Sequence, residues 1–413
     1  MNRGFYTILA AQFFSALADN ALLFAAIALL WTVNAPDWQT PVLQQFFVFA
    51  YIVLAPFVGP FADAFPKGLV MFVSNAVKIV GCAAMLLGLH PLLAYGFVGI
   101  GASMYSPAKY GILTEYLPPE KLVWANGWME GLTVAAIILG AIVGGVLIGN
   151  RMEGTIVEHL VGLEFNAGID TAPEVAIIVI LGIYVAAAVF NLFIPQVPID
   201  HKLPKRNPWF LLRDFTHCFW LLWKDPLGQV SLAVTTLFWG AGATLRLIIL
   251  TWAGTALRFD LEHATQLTAV VAIGIAIGSA VAAKTVPLHR AVRVLPVGIG
   301  MGLTVIAMVF VTDWRVAVPL LILIGAMAGY FVVPMNALLQ HRGHLLMGAG
   351  HSIAVQNFNE NLSILAMLGV YALMIKADLG VNVIVVIFGL FVAITMAWLT
   401  RKHGHDQDAA HKS

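Results

Sequence analysis

A carboxylate and an amide lie side by side in the first apolar run of the chain, at Asp19 and Asn20. The run extends over residues 5–31, and Asp19 stands about 21 Å along a helix from Phe5 at about 1.5 Å per residue. If the run crosses a bilayer, Asp19 lies near the bilayer midplane. An ionisable group at that depth is costly and usually functional. We therefore take Asp19 and Asn20 as candidate ligands of a polar substrate.

Further polar side chains interrupt other apolar stretches. Glu360 lies in the run Gln356-Asn357-Phe358-Asn359-Glu360-Asn361, which has five polar side chains in six positions. At least one face of this run must therefore meet water or another helix. The candidate substrate ligands are Asp19, Asn20, Arg246, Gln356, Asn357 and Glu360. The candidate sites for a coupling ion are Asp19, Lys78, Glu130 and Glu360. A structural ion pair or an interhelical hydrogen-bond cluster is the alternative interpretation of these residues.

Motifs of catalysis and of cofactor binding are missing from the sequence. Residues 278–285 resemble a P-loop, but Ala283 replaces the second glycine and the stretch ends an apolar run. The two cysteines, Cys82 and Cys218, show neither C-x-x-C nor metal-ligand spacing. The net charge is +1 and no basic tract occurs, which disfavours nucleic-acid binding. We expect no enzymatic activity, no metal and no cofactor.

The composition specifies the elements that must position these residues. Of 413 residues, 60% are apolar and 10% are charged, whereas a soluble domain has about 25% charged residues. This predicts an all-α polytopic membrane protein. Twelve apolar stretches are long enough to span a bilayer, at residues 5–33, 42–62, 68–89, 91–113, 123–149, 174–196, 227–253, 264–286, 291–312, 316–340, 347–375 and 379–400.

The distribution of basic residues orients these spans. With a cytoplasmic N-terminus, sixteen Lys and Arg residues fall in cytoplasmic segments and four fall on the other side. Cytoplasmic segments of membrane proteins carry this excess of positive charge. The sequence therefore predicts that both termini are cytoplasmic. The longest outer segment, residues 150–173, is acidic.

The spans divide into two related sets of six. We predict an N-terminal half at 1–196, a cytoplasmic linker at 197–226, a C-terminal half at 227–400 and a cytoplasmic tail at 401–413. Residues 14–17 and 125–127 match residues 238–241 and 349–351 at a shared offset of 224, which indicates duplication. In the linker, Asn207-Pro208 is a good start for a helix. The aromatic residues that follow favour a helix lying in the cytoplasmic membrane interface. An early extension of the seventh span is the alternative.

The repeat also relates the first and seventh spans. A two-fold axis would bring these two spans, which carry Asp19 and Arg246, face to face across a cavity. A carboxylate and a guanidinium at low dielectric each need a partner. They could pair with each other or bind the two charges of a zwitterionic ligand.

Residues 59–68, GPFADAFPKG, resemble the G-x-x-x-D signature between the second and third helices of the major facilitator superfamily. Ala64 stands where that superfamily usually has arginine. There the aspartate helps to lock the cytoplasmic side. The resemblance therefore implies a gating role for Asp63, with Lys67, rather than substrate contact.

Several segments together resemble the bacterial lysophospholipid transporters of that superfamily. They are AQFFSALADNALLF (11–24), YSPAKYGIL (105–113), FWGAGATLR (238–246), VPMNALLQ (333–340) and AVQN (354–357) with Glu360-Asn361. The resemblance covers residues 8–400 and implies a major facilitator fold of twelve transmembrane helices in two six-helix halves. Residues 150–173 form a longer outer loop than the family suggests.

This resemblance implies a multi-pass flippase of the bacterial inner membrane. It would move lysophosphatidylethanolamine and lysophosphatidylglycerol from the outer to the inner leaflet by alternating access, and a separate acyltransferase/acyl-carrier-protein synthetase would reacylate them. Arg246 would bind the phosphate, and Asp19 or Glu360 would bind an ammonium. Lys109 and Tyr110 would receive the phosphate on release, although Lys109 could instead reach the lipid surface. We expect a monomer surrounded by membrane lipid.

Two other functions stay open at this stage. One is a proton-coupled exporter of drugs or small amphiphiles that uses Asp19 as its proton site. The other is a membrane scaffold that docks an acyltransferase without transporting anything. Drug sensitivity of a deletion strain with unchanged lysophospholipid turnover would favour the exporter, and intact complex formation without flux in purified liposomes would support the scaffold.

Overall fold

The computed structural model describes residues 3–36, 39–148, 171–197, 207–259 and 261–403, and these are helical with short connections. Numbered in chain order, its α-helices are α1 (Arg3–Thr32), α2 (Gln39–Val53), α3 (Ala55–Ala64), α4 (Lys67–Leu86), α5 (Pro91–Tyr116), α6 (Leu122–Leu147), α7 (Ala172–Leu192), α8 (Pro208–Lys224), α9 (Pro226–Ala256), α10 (Leu261–Thr285), α11 (Leu295–Ala307), α12 (Trp314–Met347), α13 (Ala349–Lys376) and α14 (Val381–His403). Three short 3₁₀ helices lie at Pro119–Lys121, Leu288–Val294 and Met308–Phe310.

These helices cover all twelve predicted spans. Within the described residues, ten helical segments are long and apolar enough to cross a membrane. The second span is the pair α2 and α3, which passes the same test as one unit bent by 63°. Pro56 lies in the first turn of α3, where its missing N–H cannot donate back into α2, and this favours a break between the two helices. The fourth predicted span corresponds to α5, a helix of 26 residues that is not among these candidates.

Local sequence explains where several helices begin. Asn207 Oδ1 accepts a hydrogen bond of 3.1 Å from the backbone N–H of Trp209, just before Pro208 opens α8. Asp225 caps α9 by accepting one of 2.8 Å from the Gly228 N–H. Such caps satisfy N–H groups that have no partner inside the helix. A separate helix α8 is thus present in the predicted linker. Its location at a membrane surface remains a prediction.

The chain forms two compact units. The first unit comprises Met1–Ile112 and Ala135–Leu212, and the second comprises Leu113–Val134 and Arg213–Ser413. The domain boundaries proposed from the sequence, at residues 196, 226 and 400, stay predictions. Most of the acidic segment 150–173 and the basic residues at 202–206 lie outside the residues that the structure describes.

In the first unit, α1 and α4 both pack against α7. Their shared core contains Ala18, Leu22, Cys82 and Ile180, all fully buried. Gly101 on α5 allows a close approach to α4. A Cβ there would come within 2.6 Å of the Ser74 carbonyl oxygen and of the Lys78 side chain. This contact leaves Lys78 little freedom to move.

In the second unit, α10 and α12 approach each other through glycines spaced four residues apart. They are Gly274 and Gly278 on α10 and Gly325 and Gly329 on α12. A Cβ on Gly278 would overlap the carbonyl group of Ala326, which is backbone and cannot turn away. Small residues at this spacing let helix backbones pack closely in membranes.

We expect Gly278→Val to destabilise the protein by about 3 kcal/mol, at the upper end of overpacking costs, because the two backbones must separate. The midpoint of thermal unfolding in detergent should fall. Gly369→Val is the matched control, since nothing lies within 4 Å of a Cβ at Gly369 on α13. Equal midpoints for the two variants would contradict this packing.

Candidate functional site: a polar cluster in each unit

The first unit holds an ion pair at Asp19. The ammonium of Lys78, on α4, lies 2.8 Å from Asp19 Oδ2. The hydroxyl of Tyr184, on α7, donates a hydrogen bond of 2.6 Å to Asp19 Oδ1. Each carboxylate oxygen therefore has one partner, and each can accept a further hydrogen bond. We call this set, with Ser15 and Asn75, the Asp19 cluster.

Ser15 and Asn75 extend this cluster along α1 and α4. Lys78 Nζ donates to Ser15 Oγ over 3.0 Å, and Ser15 Oγ donates to Asn75 Oδ1 over 2.8 Å. Asn75 Nδ2 is buried and has no acceptor among the described residues. The Lys78 ammonium also lies 4.9 Å from the ring centroid of Tyr105. A cation over an aromatic face gains electrostatic stabilisation where water is excluded.

Burial within the ion pair is uneven. The Lys78 side chain is 1% exposed, whereas that of Asp19 is 20% exposed. The ammonium therefore depends on its protein partners for solvation, while the carboxylate retains an open edge. A polar ligand that reaches this edge would compete with Lys78 for Asp19.

The sequence identified Asp19 and Lys78 as buried charges but left their partners open. In the structure, the partners of the Asp19 carboxylate are Lys78 and Tyr184. From the sequence, Arg246 or a ligand had been considered as its partner. Ser15 and Tyr184 were missed. Ser15 stands four residues before Asp19 on the same helix face, a spacing that could have flagged it. Nothing in the sequence distinguished Tyr184 from other tyrosines.

Three other predicted sites also lie in the first unit. Asn20 is half-buried, and its Nδ2 donates to the Ala16 carbonyl oxygen of its own helix over 2.8 Å.

Asp63 and Lys67 form a buried ion pair of 3.1 Å at the α3–α4 turn. Lys67 Nζ also donates to the carbonyl oxygen of Ala62 over 2.6 Å. The two residues predicted to gate are thus in direct contact with each other.

Lys109 and Tyr110 lie on α5. The Lys109 side chain is buried, and its ammonium lies 4.6 Å from the ring centroid of Tyr110. Burial argues against a side chain that extends to the lipid surface.

The second unit holds a larger amide and carboxyl cluster, which we call the Glu360 cluster. All six members are buried. They are Asn126 and Glu130 on α6, Asn336 and Gln340 on α12, and Gln356 and Glu360 on α13.

Hydrogen bonds join the two carboxyls of the Glu360 cluster through two amides. Gln356 Nε2 donates to Glu360 Oε1 over 2.7 Å and to Asn336 Oδ1 over 3.0 Å. Asn336 Nδ2 in turn donates to Glu130 Oε1 over 3.3 Å. Asn126 and Gln340 form a reciprocal amide pair, with both hydrogen bonds 2.8 Å long.

One acceptor in this cluster is unsatisfied. Gln356 Oε1 is buried and has no hydrogen-bond donor among the residues that the structure describes. A buried acceptor without a donor is costly. The atom is therefore available to a ligand hydroxyl. Asn357, next along α13, is also buried.

Arg246 lies apart from these hydrogen bonds. Its side chain on α9 is exposed, and no hydrogen bond or ion pair joins it to another residue in the described ranges. Helix α9 packs against α13 at Gly240, where an added Cβ would overlap Ser363 Oγ. A free guanidinium presents a fork of donors that matches a phosphate or a carboxylate.

Comparisons with known proteins agree with this architecture. The sequence profile described as Major Facilitator Superfamily matches residues 8–366. In overall fold, the chain is similar to the transporter FucP crystallised in the outward conformation, with a TM-score of 0.74, 12% identity and coverage of 96% of this chain and 98% of that one. It is also similar to a bacterial homologue of the iron transporter ferroportin, with a TM-score of 0.71, 15% identity and coverage of 97% of this chain and 100% of the other.

Curated relatives are much more similar in sequence. The lysophospholipid transporter LplT of Enterobacter sp. (strain 638) is 44% identical over 404 residues, which cover 97% of this chain and 96% of the relative. The protein of the same name from Yersinia enterocolitica is 45% identical over 385 residues, covering 93% of this chain and 90% of the relative. The chain belongs to the major facilitator superfamily and, within it, to the family of the LplT transporters.

Proposed function

We propose that this protein moves lysophospholipids from the outer to the inner leaflet of a bacterial inner membrane by alternating access. The observation that carries this proposal is the 44% identity to a lysophospholipid transporter over 97% of the chain. Lysophosphatidylethanolamine and lysophosphatidylglycerol are the proposed substrates. A separate acyltransferase/acyl-carrier-protein synthetase would consume them on the cytoplasmic side, where both termini of the chain would lie.

The Asp19 cluster suits a headgroup with an ammonium. Asp19 has an open edge, and its present cationic partner is the ammonium of Lys78. An ethanolamine ammonium carries the same charge as Lys78 and forms the same kind of hydrogen bond. Substrate and Lys78 would therefore exchange at one carboxylate, with Asn20 available beside it.

The Glu360 cluster suits the polar oxygens of a lysophospholipid. A lysophospholipid has a free glycerol hydroxyl where a diacyl lipid has an ester. Gln356 Oε1, the buried acceptor without a donor, could accept a hydrogen bond from such a hydroxyl. Asn357 and Glu360 would add further polar contacts within the second unit. A site with unpaired polar groups favours the ligand that satisfies them over an analogue that cannot.

Arg246 suits the phosphate. Both proposed substrates carry one, and a guanidinium can bind two of its oxygens at once. The exposed, unpaired side chain needs no internal ion pair to be broken first. We therefore assign phosphate binding to Arg246 and phosphate release to Lys109 with Tyr110.

The remaining charged residues are proposed to serve conformational change and ion coupling. Asp63 and Lys67 would gate the cytoplasmic side, in keeping with their mutual contact at a helix turn. Lys78, Glu130 and Glu360, with Asp19, are the candidates for ion coupling. Hydrogen bonds connect Glu130 to Glu360 through Asn336 and Gln356. Binding of an ion to one carboxyl would therefore change the hydrogen bonds of the other.

Labelled lysophosphatidylethanolamine tests this proposal in cells. Spheroplasts of a strain without its own transporter should take up and reacylate the lipid when they express this protein, and empty-vector spheroplasts should not. A diacyl phosphatidylethanolamine with the same label is the substrate control. Normal lysophospholipid turnover without the protein, together with protein-dependent resistance to amphiphilic drugs, would instead identify a drug exporter.

A further inference from the structure

Helix α8 has two faces of opposite character. Cys218 and Leu222 are buried, and they pack with Leu232, Leu339 and Val355 in one apolar cluster of the second unit. Trp223, on the same side, donates from its indole Nε1 to Asn359 Oδ1 over 3.3 Å. The inner face of α8 is thus fixed to the helices that carry the Glu360 cluster.

The acidic side chains at this helix also face inward. Asp214 Oδ2 lies 3.2 Å from Nε2 of His351 in the first turn of α13. Asp225, directly after α8, accepts a hydrogen bond of 3.2 Å from Nε of Arg342 on α12. Each carboxylate therefore has a basic partner within the second unit.

The outer face that remains is basic and aromatic. It consists of Arg213, His217, Trp220 and Lys224, and all four are exposed. Trp220 is 56% exposed, so most of its ring lies open on this face. In the part of the chain that the structure describes, neither Arg213, His217 nor Lys224 has a hydrogen-bond or ion-pair partner. We call these four residues the outer face of α8.

We propose that the outer face of α8 binds the headgroups of acidic phospholipids in the membrane surface. Tryptophan favours the level of the headgroups, where one edge is apolar and the other is wet. Lysine and arginine are attracted to an anionic leaflet. With both acidic side chains turned inward, no opposite charge on this face weakens that attraction. The pattern of charge and aromatic side chains matches an anionic bilayer surface.

The contacts of the inner face connect this surface to transport. Asn359, the acceptor of the Trp223 hydrogen bond, is adjacent to Glu360, and His351 lies on the same helix as Gln356. A lipid-bound α8 would therefore restrain α13. Resting on the proposed function, this predicts faster lysophospholipid transport in membranes that contain acidic phospholipid.

Tryptophan quenching tests the binding surface without any transport. The purified protein is placed in vesicles of phosphatidylcholine with an equal amount of phosphatidylglycerol, and only one of the two lipids carries bromine. We expect brominated phosphatidylglycerol to quench more than brominated phosphatidylcholine. This excess should fall in Trp220→Phe, which removes one of the eleven tryptophans, and in Arg213→Gln/Lys224→Gln, which removes two of the basic charges on the face.

Arg258→Gln/Lys376→Gln is the matched control, since it removes two exposed charges outside α8 and should keep the excess quenching. Equal quenching by the two lipids in the wild-type protein, or equal loss in the control, would overturn the proposal. Flux in the same vesicles separates it from the proposed function. Preferential quenching without lysophospholipid flux in any vesicle contradicts the transport function and leaves the lipid surface supported.

Discussion

Asp19→Asn should destabilise the protein by about 3–5 kcal/mol, the usual cost of removing one partner from a buried ion pair. The variant leaves the Lys78 ammonium, 1% exposed, without a carboxylate. Lys78→Met should cost less, because the remaining carboxylate is 20% exposed and still accepts from Tyr184. The double variant Asp19→Asn/Lys78→Met should be more stable than Asp19→Asn alone, since it leaves no unpaired charge. Thermal unfolding of the purified proteins in detergent measures all three effects.

Transport by the same variants separates a structural role from a substrate role. If Asp19 binds the headgroup, the double variant should regain stability but stay inactive. If the pair serves only to hold α1 and α4 together, the double variant should regain both stability and transport. Asp19→Glu keeps the charge and serves as the conservative comparison. Restored flux in the double variant would remove Asp19 from the proposed substrate site.

Arg246→Ala should lower lysophospholipid transport roughly ten- to hundredfold, because a hydrogen-bonded charge pair contributes about 1.5–3 kcal/mol. Its stability should change little, since the side chain is exposed and has no partner in the described structure. Initial rates of labelled lysophosphatidylglycerol uptake at equal protein levels give the comparison.

Two control variants accompany Arg246→Ala. Arg246→Lys should retain part of the rate, because lysine keeps the charge but loses the planar fork. Arg258→Ala removes an exposed arginine just after the same helix and should transport normally. A normal rate for Arg246→Ala would exclude the phosphate assignment.

Most of the fold followed from the sequence for a simple physical reason. Apolar stretches long enough to span a bilayer can satisfy their backbone only as helices, and the structure has helices at all twelve stretches. The bend between α2 and α3 was not predicted. Proline is tolerated at a helix start, and only the observed geometry reveals that Pro56 restarts a helix within one span.

The candidate site was predicted less completely. The cost of burying a charge identifies Asp19, Lys78 and Glu360 without a structure. It does not identify their partners, because partner choice depends on how helices rotate and pack. Lys78 on α4 reaches Asp19 on α1 while Gly101 on α5 packs against its side chain, an arrangement of three helices that no single-sequence pattern encodes. Asn126 and Gln340, 214 positions apart, form a reciprocal pair that likewise depends on how their helices pack.

Lysophospholipid flux in proteoliposomes of the purified protein tests the central claim most directly. Fluorescent lysophosphatidylethanolamine is added outside, and albumin extracts whatever stays in the outer leaflet. The account predicts that the protected fraction rises faster with the protein than in empty liposomes, and that Arg246→Ala abolishes most of the gain. Parallel runs with imposed proton and sodium gradients identify the coupling ion. Protection equal to that of empty liposomes under every gradient would contradict the transport function.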